Sequence, residues 1–194
     1  MENIQEIKIK DGANPTAAGL VALAVACFCF FALLEGHVDA SARTLIGCWL
    51  IGGFVVQVIV GLMDLKEGNH AGGNTFLFFS AFFMLATGME MLIRGVMGVE
   101  VDARIDGWAW AALSIVMILW LPAFFKKIGI LSFIVLFVAI ALPFIAIRDL
   151  GYTAELGVLA HIPAWTLLIA GLLAIYLCSA IVVNKAYGKT IYPM

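Results

Sequence analysis

From Asn14 onwards the chain alternates between long apolar runs and short polar breaks. Six runs stand out, at about residues 15–34, 43–63, 74–93, 107–125, 128–147 and 158–183. Each is long enough to cross a hydrocarbon core of about 30 Å as a helix rising 1.5 Å per residue. None shows the period of two expected of a lipid-facing β-strand; IVLFVAIALPFIAI, residues 134–147, is apolar throughout. A spanning segment that is not part of a barrel must satisfy its backbone groups internally, which leaves the α-helix. The pattern predicts an all-α integral membrane protein with six transmembrane helices.

Composition strengthens this reading. Only 12% of the 194 residues are charged and 64% are hydrophobic, against about 25% charged in soluble domains. Mean hydropathy is +1.09. The net charge of -2, with no basic patch, argues against a nucleic-acid partner. The four cysteines, Cys27, Cys29, Cys48 and Cys178, sit in apolar runs without metal-ligand spacing and read as small packing residues. No metal centre and no cofactor are expected, and no nucleotide loop or catalytic triad is present, so the chemistry is passage or binding rather than catalysis. The first fourteen residues are polar and carry no signal-peptide pattern, so the N-terminus is expected to remain on the mature chain.

The polar breaks differ in charge. All seven lysines lie on one side: Lys8 and Lys10 before the first run, Lys66 after the second, Lys126 and Lys127 after the fourth, and Lys185 and Lys189 after the last. The other side holds the four arginines, Arg43, Arg94, Arg104 and Arg148, among carboxylates that include Glu35, Asp39, Glu90, Glu100, Asp102, Asp106, Asp149 and Glu155. The positive-inside rule then puts both termini in the cytoplasm. The expected organisation is a cytoplasmic segment 1–13, a transmembrane domain 14–184 and a cytoplasmic tail 185–194, in a multi-pass inner-membrane protein.

Polar residues inside the spans are the candidates for function. Asn14 is a good helix N-cap and Pro15 suits the position after it, so the first helix should start at a defined place. Free N–H groups near Thr16 would make that start a site for an anion; capping and packing alone is the competing reading. Ala18, Ala22 and Ala26, and Gly52, Gly53 and Gly61 in the second span, read as close-packing positions. Gln57, Asn74, Thr75, Ser80, Thr87, Ser114, Thr166 and Ser179 are expected to bond between helices. Glu90 and Arg94 share one helix face as an i, i+4 pair, near enough to the end of their span to snorkel outwards. His161 is either an interfacial residue or a proton carrier near neutral pH.

Three stretches together resemble the acetate uptake transporter family. They are NPTAAGL at 14–20, QVIVGLMDLKEGNHAG at 57–72, and the ungapped block HIPAWTLLIAGLLAIYLCSAIVVNKAYGKTIYP at 161–193. The match in the last block runs through His161, Trp165, Gly171, Ala174, Tyr176, Asn184, Gly188, Thr190 and Pro193; Ala17 departs from the family's second proline. The resemblance implies six helices, cytoplasmic termini and a cyclic homo-hexamer with one pathway per protomer. It implies transport of acetate, or succinate in some members, by proton symport or channel-like passage. It further implies substrate contacts at Asn14, Pro15, Thr16, Ala174 and Tyr176, and a constriction at Leu23, Phe79 and Val138 that is less polar than in the family. Glu90, Arg94 and the EVDARID connection have no counterpart there; with His161, the pair is a candidate for handling the proton. A urea or short-amide channel is the alternative within transport, and a non-transporting membrane sensor the alternative outside it.

Overall fold

The computed structural model describes residues 14–98 and 101–194. The segment 1–13, with Lys8 and Lys10, and Glu100 of the acidic connection lie outside the described residues. Helix α1 spans Thr16–Leu34, and α2, Arg43–Lys66, follows a 3-10 turn at Ala40–Ala42. The third span is composite: α3 (His70–Phe78), a π-helical stretch (Phe79–Ala86) and α4 (Thr87–Met97). Helices α5 (Arg104–Phe125) and α6 (Ile130–Asp149) come next, then the single turn α7 (Thr153–Leu156), a 3-10 turn (Gly157–His161) and α8 (Ile162–Tyr187). These form six helical segments long and apolar enough to cross a membrane, with no strand among the described residues. The six-helix expectation is borne out.

Local chemistry explains where the ends differ from the hydropathy pattern. The third span begins at His70 because Asn69 caps it, its side-chain oxygen accepting the Gly72 N–H at 3.0 Å. The fourth begins at Arg104, whose backbone N–H donates to Asp102 Oδ1 at 3.1 Å. The last begins at Ile162, with Pro163 in its first turn. It ends at Gly188, whose φ of 63° only glycine adopts without strain.

In packing, the neighbours run from the third span to α2, α1, α8, α6 and α5. The third span and α5 touch more sparsely, and aromatic pairs close that gap: Phe78 with Trp120 at 6.0 Å and Phe83 with Trp110 at 5.9 Å between ring centroids. Elsewhere small residues allow close approach. A Cβ placed on Gly61 would lie 3.0 Å from the Gly73 carbonyl oxygen, and one on Gly73 only 2.9 Å from that of Gly61. Gly53 packs on Met84 and Gly171 on Cys27, so these positions behave as the small-residue rule expects. Gly52 does not, since nothing lies within 4 Å of its Cβ position. Ala22 and Ala26 are buried in α1, but Ala18 is exposed.

The hydroxyls correct another expectation. Ser80, Thr87, Ser114, Thr166 and Ser179 donate to carbonyls of their own helical segments, and the Asn74 amide does the same. Their side chains are short, and the carbonyl about one turn back is the nearest acceptor. Gln57 has the longer reach and does bond across helices, its Nε2 donating to Gly19 O at 3.0 Å.

The glycine contacts yield a paired test. Gly73→Ala should lower the stability of the detergent-extracted protein by about 1–3 kcal/mol, as overpacking does, and Gly52→Ala should leave it unchanged. Thermal unfolding followed by circular dichroism reads both; equal midpoints would mean that the α2–α3 contact relaxes freely.

Candidate functional site

Two cavities enter the bundle from opposite ends. The larger, about 510 Å³, lies on the lysine side and has Lys127 in its wall. Its outer wall is polar. The N-cap position of α1 falls on Pro15 and not on Asn14 as expected, but Asn14, one residue earlier, still accepts the Thr16 N–H through its Oδ1 at 2.9 Å. Asn14 and Thr16 both line the cavity. Across from them stands Asp64, only 2% exposed, with Asn69 Nδ2 donating to its Oδ2 at 2.9 Å. The same Asn69 caps α3, so one side chain fixes both the helix start and the carboxylate. Thr75 also faces the cavity, and its buried Oγ1 has no partner among the described residues.

Inward, the wall turns apolar. Leu23 of α1, Phe79 of the π-helical stretch and Val138 of α6 all line this cavity and are each no more than 4% exposed. Three separate spans thus bring the expected constriction residues to one cavity. Beyond them the interior is closed by Met117, Ala141 and Leu142, all fully buried. Phe83 is fully buried there too, its ring centroid 5.6 Å from that of Phe79 and 4.9 Å from that of Phe30. Phe30 and Phe83 already border the second cavity. Seven positions along α1 lead from Leu23 to Phe30, and seven along α6 from Val138 to Ile145, a rise of about 10 Å. On the third span, however, Phe79 and Phe83 line opposite cavities with ring centroids only 5.6 Å apart, so the apolar plug is thinnest at that ring pair. The π-helical turns lie within it, a distortion common at functional positions and invisible to hydropathy.

The second cavity, about 230 Å³, opens on the arginine side. Glu90 and Arg94 line it, joined by a 2.7 Å ion pair with side chains 29% and 26% exposed. They therefore turn inwards instead of snorkelling outwards. Arg43, Asp106, Arg148 and Asp149 share the wall. The neighbouring Asp102 is different. It is exposed, outside the spans, and hydrogen bonds from Arg104 hold its carboxyl down at about 2.

Other expected site residues lie elsewhere. Pro15 faces a shallow groove between α1 and α8, and Ala174 is buried in α8 without lining either of the two cavities described above. Tyr176 turns to the C-terminal tail, its hydroxyl donating to Pro193 O at 3.0 Å. Asn184 holds that tail as well: its Oδ1 accepts from the Ile191 and Tyr192 amides and its Nδ2 donates to Tyr192 O. The fold-back brings Met194 to the rim of the larger cavity. His161 is separate from Glu90 and Arg94; its Nδ1 lies 2.9 Å from Glu35 Oε1, joining the start of α8 to the end of α1. Sequence reasoning missed Asp64, Asn69 and the Glu35 contact, and it expected Thr75 to bond between helices where the structure gives its hydroxyl no partner among the described residues. For Asp64 the signal was present, a carboxylate at the end of an apolar run, but it read as part of the polar break.

No protein-family model matches the chain. In sequence, it is 25% identical over 185 residues to the succinate-acetate/proton symporter SatP of Escherichia coli K12, covering 94% of this chain and 95% of that protein. The symporter of the same name from Shigella flexneri matches equally. In fold, it superposes on the bacterial acetate channel SatP with a TM-score of 0.81 at 22% identity, over 95% of this chain and 99% of that one. The resemblance to the acetate uptake transporter family is thus borne out along nearly the whole chain, in sequence and in fold.

Proposed function

We propose that the protein carries acetate and related small carboxylates, succinate among them, across an inner membrane, each anion accompanied by a proton. One observation supports this above the others: two polar-mouthed cavities face each other across an apolar plug. An isolated carboxylate moved into a medium of dielectric about 4 costs tens of kcal/mol by the Born estimate, whereas a neutral carboxylic acid costs only a few. Asp64 stands at one mouth of the plug and Glu90, Asp106 and Asp149 at the other. Each mouth therefore holds groups able to exchange a proton with the substrate. Asn14, Thr16 and Thr75 supply polar contacts for the acid on the lysine side. The reading extends to a cyclic hexamer with one pathway per protomer, on the strength of the family resemblance. A urea channel would want hydrogen-bonding groups throughout its narrow part, and the plug residues are hydrocarbon, aromatic or thioether.

Three measurements test this. Protein-dependent acetate flux into liposomes, after subtraction of the leak through empty ones, should rise as external pH falls from about 7 towards 5, nearer the carboxylic range around 4. Flux that follows anion concentration and ignores an imposed pH gradient would make the protein an anion channel, and passage of urea instead would make it an amide channel. Asp64→Asn keeps the shape of the side chain and an oxygen for Asn69 but cannot titrate; it should lower acetate flux about tenfold and flatten the pH response, and a wild-type profile would leave Asp64 a helix-end partner only. Phe79→Ala removes a ring from the plug and should raise the succinate-to-acetate flux ratio at equal expression; an unchanged ratio would move the selectivity determinant elsewhere.

A further inference from the structure

The arginine-side cavity holds more charge than passage through the plug requires. Four spans bring six ionisable groups to its wall: Arg43 from α2, Glu90 and Arg94 from α4, Asp106 from α5, and Arg148 and Asp149 from α6. Only Glu90 and Arg94 form an ion pair. Among the described residues, neither Arg43 nor Arg148 has a carboxylate oxygen within 4.0 Å. Arg148 gives one N–H to the Ala160 carbonyl at 3.0 Å, and the Arg43 guanidinium donates to none of the described residues. Each guanidinium carries five N–H donors in a fork that matches a carboxylate. Both arginines share the wall with acids yet touch none of them, so most of their N–H donors are left unused by the described residues, and a bound carboxylate would take them up.

The neighbouring acids decide which ligand suits this wall. A plain anion would be repelled by Asp106 and Asp149. A carboxyl group that exchanges a proton suits both kinds of neighbour: its carbonyl oxygen accepts from arginine, and its O–H, once protonated, donates to a carboxylate. A water occupies about 30 Å³ of liquid, so 230 Å³ accommodates the four heavy atoms of acetate with solvent to spare.

We propose that this cavity is a second substrate site, in which Arg43 and Arg148 hold a small monocarboxylate at the outer edge of the plug while it gains or loses its proton. The proposal rests on the transport reading for the identity of the substrate. The proton is exchanged with water through the carboxylates of the wall, so the substrate enters as anion plus proton and leaves towards the plug as the neutral acid.

Trp110 lines the same cavity and supplies a readout that does not depend on flux. Purified protein in nanodiscs is titrated with acetate, and the tryptophan emission of Trp110→Phe is subtracted to isolate that ring. A saturable change is expected, with its midpoint shifted at least tenfold in Arg43→Gln and in Arg148→Gln, and unshifted in Arg104→Gln, whose side chain pairs outside the cavity. Circular dichroism checks the fold of each variant. Should a glutamine variant fail to fold, Arg43→Lys and Arg148→Lys keep the charge but lose the fork, and a shift of about threefold is expected. No saturable change, unshifted midpoints in the arginine variants, or an equal response to glycine, which would mark a zwitterion site, each overturns the proposal. Acetate flux in liposomes separates the two readings. A flat titration with normal flux removes this site and leaves transport standing, whereas an arginine-dependent titration without flux removes transport and leaves the site.

Discussion

A carboxylate sheds its hydration at great cost, and the packed apolar side chains between the two cavities of this bundle offer nothing to replace it. Met117, Phe83, Ala141 and Leu142 are fully buried there and carry no hydrogen-bonding side chain. The rest of the proposed pathway follows from that constraint. Charged and polar groups are confined to the two ends, where water reaches them, and a proton must travel with the substrate between the ends. The cost of a bare ion in hydrocarbon is large enough to outweigh any single hydrogen bond the walls provide.

The framework around the plug is held by close packing, because lipid gives no hydrophobic reason for helices to associate. Reciprocal contacts between Gly61 and Gly73 seat α2 against α3, and Gly47 and Gly88 repeat the arrangement between α2 and α4. That pairing fixes the depth at which the π-helical turns present Phe79 and Phe83. Gln57 ties α2 to α1 through the Gly19 carbonyl, next to the first turn whose Thr16 N–H Asn14 accepts. Stability and site geometry are therefore coupled at the lysine-side mouth: residues that seat the helices also position the polar wall.

The two mouths are chemically unlike. The lysine side has one buried carboxylate, held by Asn69, in a wall that otherwise carries neutral donors and acceptors and the single cation Lys127. The arginine side has equal numbers of acids and bases, only two of them paired with each other. Carboxylates at both ends let a proton be exchanged from either direction, and the cations differ, three arginines in one wall against Lys127 in the other. The folded-back tail, held by Asn184 and Tyr176, adds a rim to the lysine-side cavity and gives a physical role to the motif residues of the C-terminal block.

Hydropathy alone determined the number of spans and their helical nature, since lipid leaves a long apolar run no other way to satisfy its backbone. The helix start beside Asn14 was legible to within one residue, because the bond from the Thr16 N–H to its side chain joins residues adjacent in the chain. Leu23, Phe79 and Val138 could be singled out only through the family resemblance, and it took the packing of three spans to bring them to one cavity. What the sequence could not disclose was the facing of polar groups at the ends of the spans. Asp64 reads as part of a polar break and proves to be buried in a cavity wall; Glu90 and Arg94 read as outward-reaching and turn inwards. Arg43, Asp106 and the adjacent Arg148 and Asp149 come from three different spans, and no periodicity within any one of them signals that they share a wall. A helix's own sequence sets which residues lie on one face, but rotation about its axis and depth against its neighbours decide what that face meets, and those are set by contacts between segments far apart in the chain.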